Sequence, residues 1–235
     1  MDTYLSDSIV LKEGKTYHED KLVKKHNWHI KLEELGWSKL SPHWISKLNK
    51  VYTPYKNNSL FGTLDCGSDG DCLFHCIANA LNSTQKNFYD SSDIRAMVAE
   101  SISEETFNDI ITCYRAMKEL DDFEESWDPS EVETLDDFKE IIKETGHSYW
   151  GDHFMIQMIS QAFSLNIIIL QQDEVSNVYE LYSLSQDYDE GMNTVILLHV
   201  NDNHFQLVGY FQDLMVTYFT NDTLPPSIRE MVKIK

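Results

Sequence analysis

Asp69-Gly70-Asp71-Cys72-Leu73-Phe74-His75 is the stretch on which the reading of this chain turns. An acidic turn with one glycine runs into a cysteine. Behind it Leu73, Phe74, Ile77, Ala78 and Leu81 recur at i, i+3, i+4 spacing, which predicts a helix over 72–81 with one buried face. Cys72 then stands in the first turn, beside unpaired backbone N–H groups and the positive end of the helix dipole. Both favour the thiolate, which is the nucleophilic form of cysteine.

Upstream, 51–71 is rich in Asn, Gly, Ser, Asp and Tyr and reads as loop, with a short strand at 60–64. Ser41-Pro42 is a helix start, followed by Trp44, Ile45 and Leu48 at helical spacing. Residues 20–35 predict a helix stopped by Gly36, and 1–20 show no clear period. Residues 1–55 therefore read as an N-terminal helical extension. Downstream, Ser92 is a cap for a helix through Ile94, Met97, Val98 and Ile102, and a second helix covers 104–120. The acidic 119–137 segment, broken by Pro129, reads as a surface loop. Thr134-x-x-Asp137 resembles a capping pattern, and Asp152 caps a further helix. The period then changes to strands at 165–170, 178–184, 194–200, 204–210 and 215–220, with Asn201-Asp202-Asn203 as a turn. Helices followed by antiparallel strands predict an α+β body over 56–220, with 221–235 as a C-terminal tail.

The 235 residues suffice for one domain with a real core, and 42% hydrophobic content excludes a disordered chain. Residues 1–60 carry ten Lys/Arg against seven Asp/Glu, and 61–235 carry nine against thirty-two. The body thus repels nucleic acid and attracts basic partners, and the basic, aromatic 24–50 region reads as a packed arm. No apolar run approaches the roughly 20 residues that span a bilayer, and Met1-Asp2-Thr3-Tyr4 lacks a signal pattern. The expectation is a cytosolic or nuclear protein whose Cys66, Cys72, Cys76 and Cys113 are reduced. Cys66-x5-Cys72-x3-Cys76 with His75 lacks paired zinc-site spacing, so a zinc site is not expected there, and Cys66 and Cys76 read as small buried thiols.

A thiol protease needs a thiolate, an imidazole, a group that orients the imidazole, and donors for the oxyanion. Among nine histidines, His204 stands out because it follows a polar turn and opens the apolar strand Phe205-x-Leu207-Val208. Here a resemblance becomes specific. Asp69-Gly70-Asp71-Cys72 with Leu73-Phe74 resembles the cysteine box of the ovarian-tumour (OTU) family of cysteine proteases. Asn203-His204-Phe205 resembles its histidine box. Trp150-Gly151-Asp152, an apolar helix and Asn166-Ile167-Ile168-Ile169 are similar to the elements between the boxes. The ordered set spans 60–212; residues 1–55 and 119–137 find no counterpart.

The resemblance implies a papain-like OTU cysteine protease fold, a mostly antiparallel small sheet flanked by helices. It implies hydrolysis of the isopeptide bond after the C-terminal glycine of ubiquitin or a ubiquitin-like protein. Cys72 is then the nucleophile and His204 the base and acid. The N–H groups of Asp69, Gly70, Asp71 and Cys72 form the oxyanion turn, and Asp69 holds that turn in shape. The resemblance implies no metal or organic cofactor. The histidine-orienting position, usually Asp or Asn two residues beyond the base, is Gln206 here, whose carbonyl can still accept from an imidazole. Asn203 and Asp202 are the alternatives. The acidic body would meet arginines of the ubiquitin tail, with Asp152, Glu119 and Asp121 to Glu125 as open choices. The implied partner is ubiquitin or polyubiquitin, taken by a monomer that needs no nucleic acid or membrane. The lysine- and asparagine-rich style suits a large DNA virus, which would place the protein in a host cytosol. Two rivals are a ubiquitin-binding module that has lost turnover through position 206, and an acidic interaction protein that uses 1–55.

Overall fold

Two short turns decide the shape of the N-terminus. Glu13 and Gly14 have φ of 50° and 73°, and Glu19 and Asp20 have 47° and 59°. Left-handed pairs of this kind match the twist of a two-residue hairpin. They join β2 (Ile9–Lys12), β3 (Lys15–His18) and β4 (Lys21–Leu22), and β1 (Thr3–Tyr4) pairs with β2 to complete a four-stranded antiparallel ribbon. The expected helical extension is therefore corrected. Of 20–35 only α1 (Trp28–Lys31) and one 3-10 turn (Glu33–Leu35) are helical. The computed structural model describes residues 2–51, 58–84, 88–123, 125–173, 175, 178–183 and 188–233.

The chain continues through β5 (Trp37–Lys39), α2 (Pro42–Val51), β6 (Phe61–Leu64) and α3 (Cys72–Asn82). Four more helices follow: α4 (Ser91–Ser101), α5 (Glu104–Glu119), α6 (Leu135–Lys143) and α7 (His153–Phe163). Asp90, not Ser92, caps α4, in a capping box with Asp93, while Ser103, Thr134 and Asp152 cap the next three. Then come β7 (Leu165–Asp173), β8 (Val178–Ser183), β9 (Asn193–Val200), β10 (His204–Phe211), β11 (Met215–Val216), β12 (Tyr218–Phe219) and α8 (Pro226–Lys233). The sheet order is β5-β6-β10-β9-β7-β8, with β11 on β10 and β12 on β9. All pairs are antiparallel except β7 with β9, which is parallel.

The apolar runs of β7 and β9 are continuous because both faces of the sheet are covered. Ile167, Ile169, Val195, Leu197, Phe205 and Leu207 face α3 to α7 in the main core. Ile168, Leu170, Ile196, Leu198 and Val208 face the other way, onto Trp44 and Leu48 of α2 and Ile228 of α8. Segments before and after the body thus roof one side of its sheet. A third cluster, with Ile9, Val23, Trp28, Trp37 and Phe211, ties the ribbon to the sheet end. Gly62 of β6 lies under the Trp28 ring, where a Cβ would come within 2.7 Å of it. No helix among the described residues is long and apolar enough to cross a membrane.

Candidate active site

Cys72 opens α3, and Asp71 occupies the N-cap position without capping. Its carboxylate instead turns inward. Arg95 of α4 is fully buried and donates through Nε to Asp71 Oδ1 at 2.7 Å, and the Gly146 N–H donates to Oδ2 at 3.1 Å. The same guanidinium donates to the carbonyls of Ile142, Gly146 and Tyr149, and stacks 3.8 Å over Phe74. Burial pushes the Arg95 pKa down and Asp71 opposes it. One ion pair therefore locks the turn before Cys72 to the 144–150 segment. Gly70 has φ +91°, and a Cβ there would lie 2.5 Å from the Gly146 carbonyl carbon.

Asp69 braces the turn only at its surface. It accepts from the Asp71 N–H at 3.3 Å and sits 3.2 Å from His75 Nε2. Desolvation raises its pKa, but these hydrogen bonds outweigh that and hold it below the usual carboxylate value. Because the Asp71 N–H is committed to Asp69, the N–H groups of Gly70 and Cys72 are the turn's remaining donors, with no oxygen or nitrogen acceptor among the described residues.

The nucleophile candidate meets β10 at one residue, Phe205. The Phe205 N–H donates to Cys72 Sγ at 3.5 Å, and Cys76 Sγ, one helical turn on, donates to the Phe205 carbonyl at 3.6 Å. Beyond the end of β6, two thiols of α3 take the place of a neighbouring strand. Burial pushes the Cys72 thiol up, against the lowering effect of the N–H groups of Phe205, Leu73 and Cys72 itself. The helix-start argument alone predicts a lowered value; desolvation outweighs it here. Cys76 is fully buried and raised further, for the same reason.

His204 is the first residue of β10, after the left-handed pair Asn201 and Asp202. Its Nε2 lies 3.2 Å from Asp65 Oδ1. The carboxylate at this ring is thus Asp65, just past β6, where Gln206 was expected. Gln206 shares a strand face with His204, but its side chain has no hydrogen-bond partner among the described residues. Asp202 is engaged by Gln171. Antiparallel register explains the outcome: Leu207 pairs with Leu64, so the residue after Leu64 comes up beside the start of β10. Sequence reading missed Asp65 because that register joins segments about 140 residues apart. The one local signal was a carboxylate directly after a short strand.

Gly70, Cys72, Glu125, Trp150, Gly151, Asp152, His199, Asp202, Asn203 and Phe205 line a cleft of about 470 Å³. Gly151 packs on α3, where a Cβ would lie 2.5 Å from Leu73 Cδ2. Of the acids considered for a basic tail, Glu125 lines the cleft and also accepts from the Trp150 N–H at 3.1 Å. Asp152 is spent internally: it accepts from Tyr114 at 2.5 Å and from the Met155 N–H, and burial raises its pKa. Glu119, Asp121 and Asp122 do not line the cleft, and Glu124 lies outside the described residues.

Cys72 at a helix start, His204 beside Asp65 at a strand start, and the N–H groups of Gly70 and Cys72 thus stand on an α+β scaffold. Residues 67–205 match the family profile described as OTU-like cysteine protease, more than half the chain, and the chain belongs to that family. Comparison with curated protein sequences gives no match. Similar solved structures include an OTU domain in complex with ubiquitin, at 20% identity over 74% of this chain and 81% of that one, TM-score 0.43. An OTU deubiquitinase from Wolbachia pipientis wMel is 14% identical over 75% of this chain and 97% of that one, TM-score 0.42. The Hazara virus OTU bound to ubiquitin is 14% identical over 90% and 96%, TM-score 0.41.

Proposed function

We propose that this protein is a deubiquitinase that hydrolyses the isopeptide bond after the C-terminal glycine of ubiquitin or a ubiquitin-like protein. The observation that carries the reading is the join of Cys72 Sγ to the Phe205 N–H, which seats the thiol beside a histidine bound by Asp65. With Nε2 on the carboxylate, His204 keeps Nδ1 for the thiol proton. Proton transfer gives thiolate and imidazolium, and the thiolate adds to the scissile carbonyl. The N–H groups of Gly70 and Cys72 receive the oxyanion. Nδ1–H then protonates the departing lysine amine, leaving a thioester on Cys72. Water, deprotonated by the same nitrogen, hydrolyses it to the free glycine carboxylate and the thiol. Burial holds Cys72 as a thiol at rest, so the proton moves as substrate arrives.

Residues 56–220 serve as the catalytic body in this proposal, while β5, α2 and α8 from its flanks complete the sheet and its cover. Glu125 is the cleft carboxylate best placed for a cationic tail. Loss of turnover through position 206 has little support, since Asp65 supplies the carboxylate that Gln206 lacks. The test is adduct formation with ubiquitin bearing a C-terminal electrophile. Wild type is expected to form a covalent adduct and Cys72→Ala none. Equal labelling of the two, or no adduct on wild type, would dismiss the assignment.

A further inference from the structure

A histidine other than His204 stands on the cleft wall with no role so far. His199, near the end of β9, is the direct cross-strand partner of Phe205, and their rings stack at 4.1 Å and 8°. Phe205 is also the residue whose N–H meets Cys72. The His199 ring is held on its other side by Gln171 of β7, whose Oε1 lies 2.8 Å from Nδ1. The Gln171 Nε2 donates to Asp202 Oδ1, and the Tyr182 hydroxyl donates to Gln171 Oε1 at 3.2 Å. A carboxylate only accepts, so the amide orientation is fixed, and Oε1 must accept from His199 Nδ1–H. The tautomer follows: Nδ1 carries the proton and Nε2 is a bare acceptor. Nε2 has no hydrogen-bond partner among the described residues, and His199 lines the cleft that ends on Cys72. Burial pushes the His199 pKa down, with Asp202 opposing and His204 reinforcing, so the ring is neutral near pH 7.

We infer that His199 is a substrate-binding residue whose Nε2 accepts a hydrogen bond from a backbone N–H of the tail that enters the cleft. The inference rests on the proposed deubiquitinase reading and deepens it. A C-terminal glycine brings no side chain to the scissile bond, so its peptide groups are the only handles it offers there. Several of the cleft's other side-chain acceptors are committed: Asp152 to Tyr114 and Met155, one Asp202 oxygen to Gln171, and one Glu125 oxygen to Trp150. A neutral acceptor of fixed tautomer selects a peptide N–H in an extended segment and draws no cation away from the carboxylates.

The test uses the full chain and ubiquitin with a C-terminal coumarin amide. His199→Phe keeps the stack on Phe205 and removes the acceptor; His199→Gln places an amide oxygen near the position of Nε2. The expected result is a KM about tenfold higher in His199→Phe, the size of one hydrogen bond, with a much smaller change in kcat, and recovery of most of the loss in His199→Gln. Alkylation of Cys72 by iodoacetamide, a small reagent without the peptide tail, read at the Cys72 peptide by mass spectrometry because Cys113 is exposed, reports in parallel that the thiol is intact. Unchanged KM in His199→Phe overturns the inference, as does an equal loss in both variants. A thousandfold fall in kcat with KM unchanged also overturns it, since His199 would then be acting as the base. If wild type alkylates normally yet never turns over the substrate, the deubiquitinase reading itself fails and takes this inference with it.

Discussion

Asp71→Asn is the most informative single change, because it alters one atom of the buried brace. Asp71 presents two acceptor oxygens, one to Arg95 at 2.7 Å and one to the Gly146 N–H at 3.1 Å. An asparagine has one oxygen. Its NH2 must face either the guanidinium or the Gly146 N–H, donor against donor, while Arg95 stays fully buried with its charge uncompensated. Breaking a buried pair by removing one charge costs about 3–5 kcal/mol. The isosteric amide keeps the packing, so the low end, about 3 kcal/mol, is expected, which for a chain of this size lowers Tm by roughly 6–12 °C. The turn that carries the Gly70 and Cys72 N–H groups loosens as well, so kcat on a ubiquitin amide should fall while the Cys72 thiol remains present to titration. Thermal unfolding by circular dichroism, run beside steady-state kinetics, measures both. A Tm within 2 °C of wild type would refute the reasoning, since Arg95 would then not depend on Asp71. The double variant Asp71→Leu/Arg95→Met should be less destabilised than Asp71→Leu alone, because it leaves no buried charge unpaired.

Asp65→Asn should lower kcat by about a hundredfold or more, whereas Gln206→Ala changes it less than threefold; the reverse order would return the orienting role to Gln206. Because burial raises the Cys72 thiol, the free enzyme's thiolate appears only at high pH: iodoacetamide alkylation at the Cys72 peptide, separated from the exposed Cys113 by mass spectrometry, should still be climbing at pH 9, and a plateau below pH 8 would contradict the buried-thiol account. Trp44→Ala opens a cavity under the sheet and should cost about 3–5 kcal/mol in urea unfolding, and removal of residues 1–55, which takes away β5 and α2, should abolish cooperative unfolding. Gly151→Ala drives a methyl into Leu73 and should cost about 1–3 kcal/mol, with a parallel rise in KM as the cleft wall shifts; unaltered stability would contradict the close packing.

What could be read from the sequence was local. The acidic turn, Cys72 at the helix start, and the polar turn before His204 are each spelled by adjacent residues. So are the caps at Thr134 and Asp152. What escaped depends on register. Asp65 reaches His204 only because β6 and β10 pair, and Arg95 reaches Asp71 only because α4 packs beside α3. Neither contact leaves a trace in spacing. The ribbon is a different failure. Glu13-Gly14 between an apolar run and Lys15–His18 was a usable hairpin signal, but the strands are too short and mixed for alternation to stand out. The second cover of the sheet was legible in principle, since unbroken apolar strands require a partner on both faces; the sequence did not say that α2 and α8 supply it.

The hold of Cys72 and Cys76 on the backbone of Phe205 has a consequence for how the chain can vary. Alignment of thiol and imidazole is fixed one residue after His204, on the strand side. A longer or shorter β9–β10 turn would move Asp202 off Gln171, and with it the seating of His199, yet leave thiol and imidazole in step. Changes of turn length a few residues from the histidine therefore bear on the cleft wall rather than on the alignment of thiol and imidazole, whereas a single residue added between His204 and Phe205 would part the two groups.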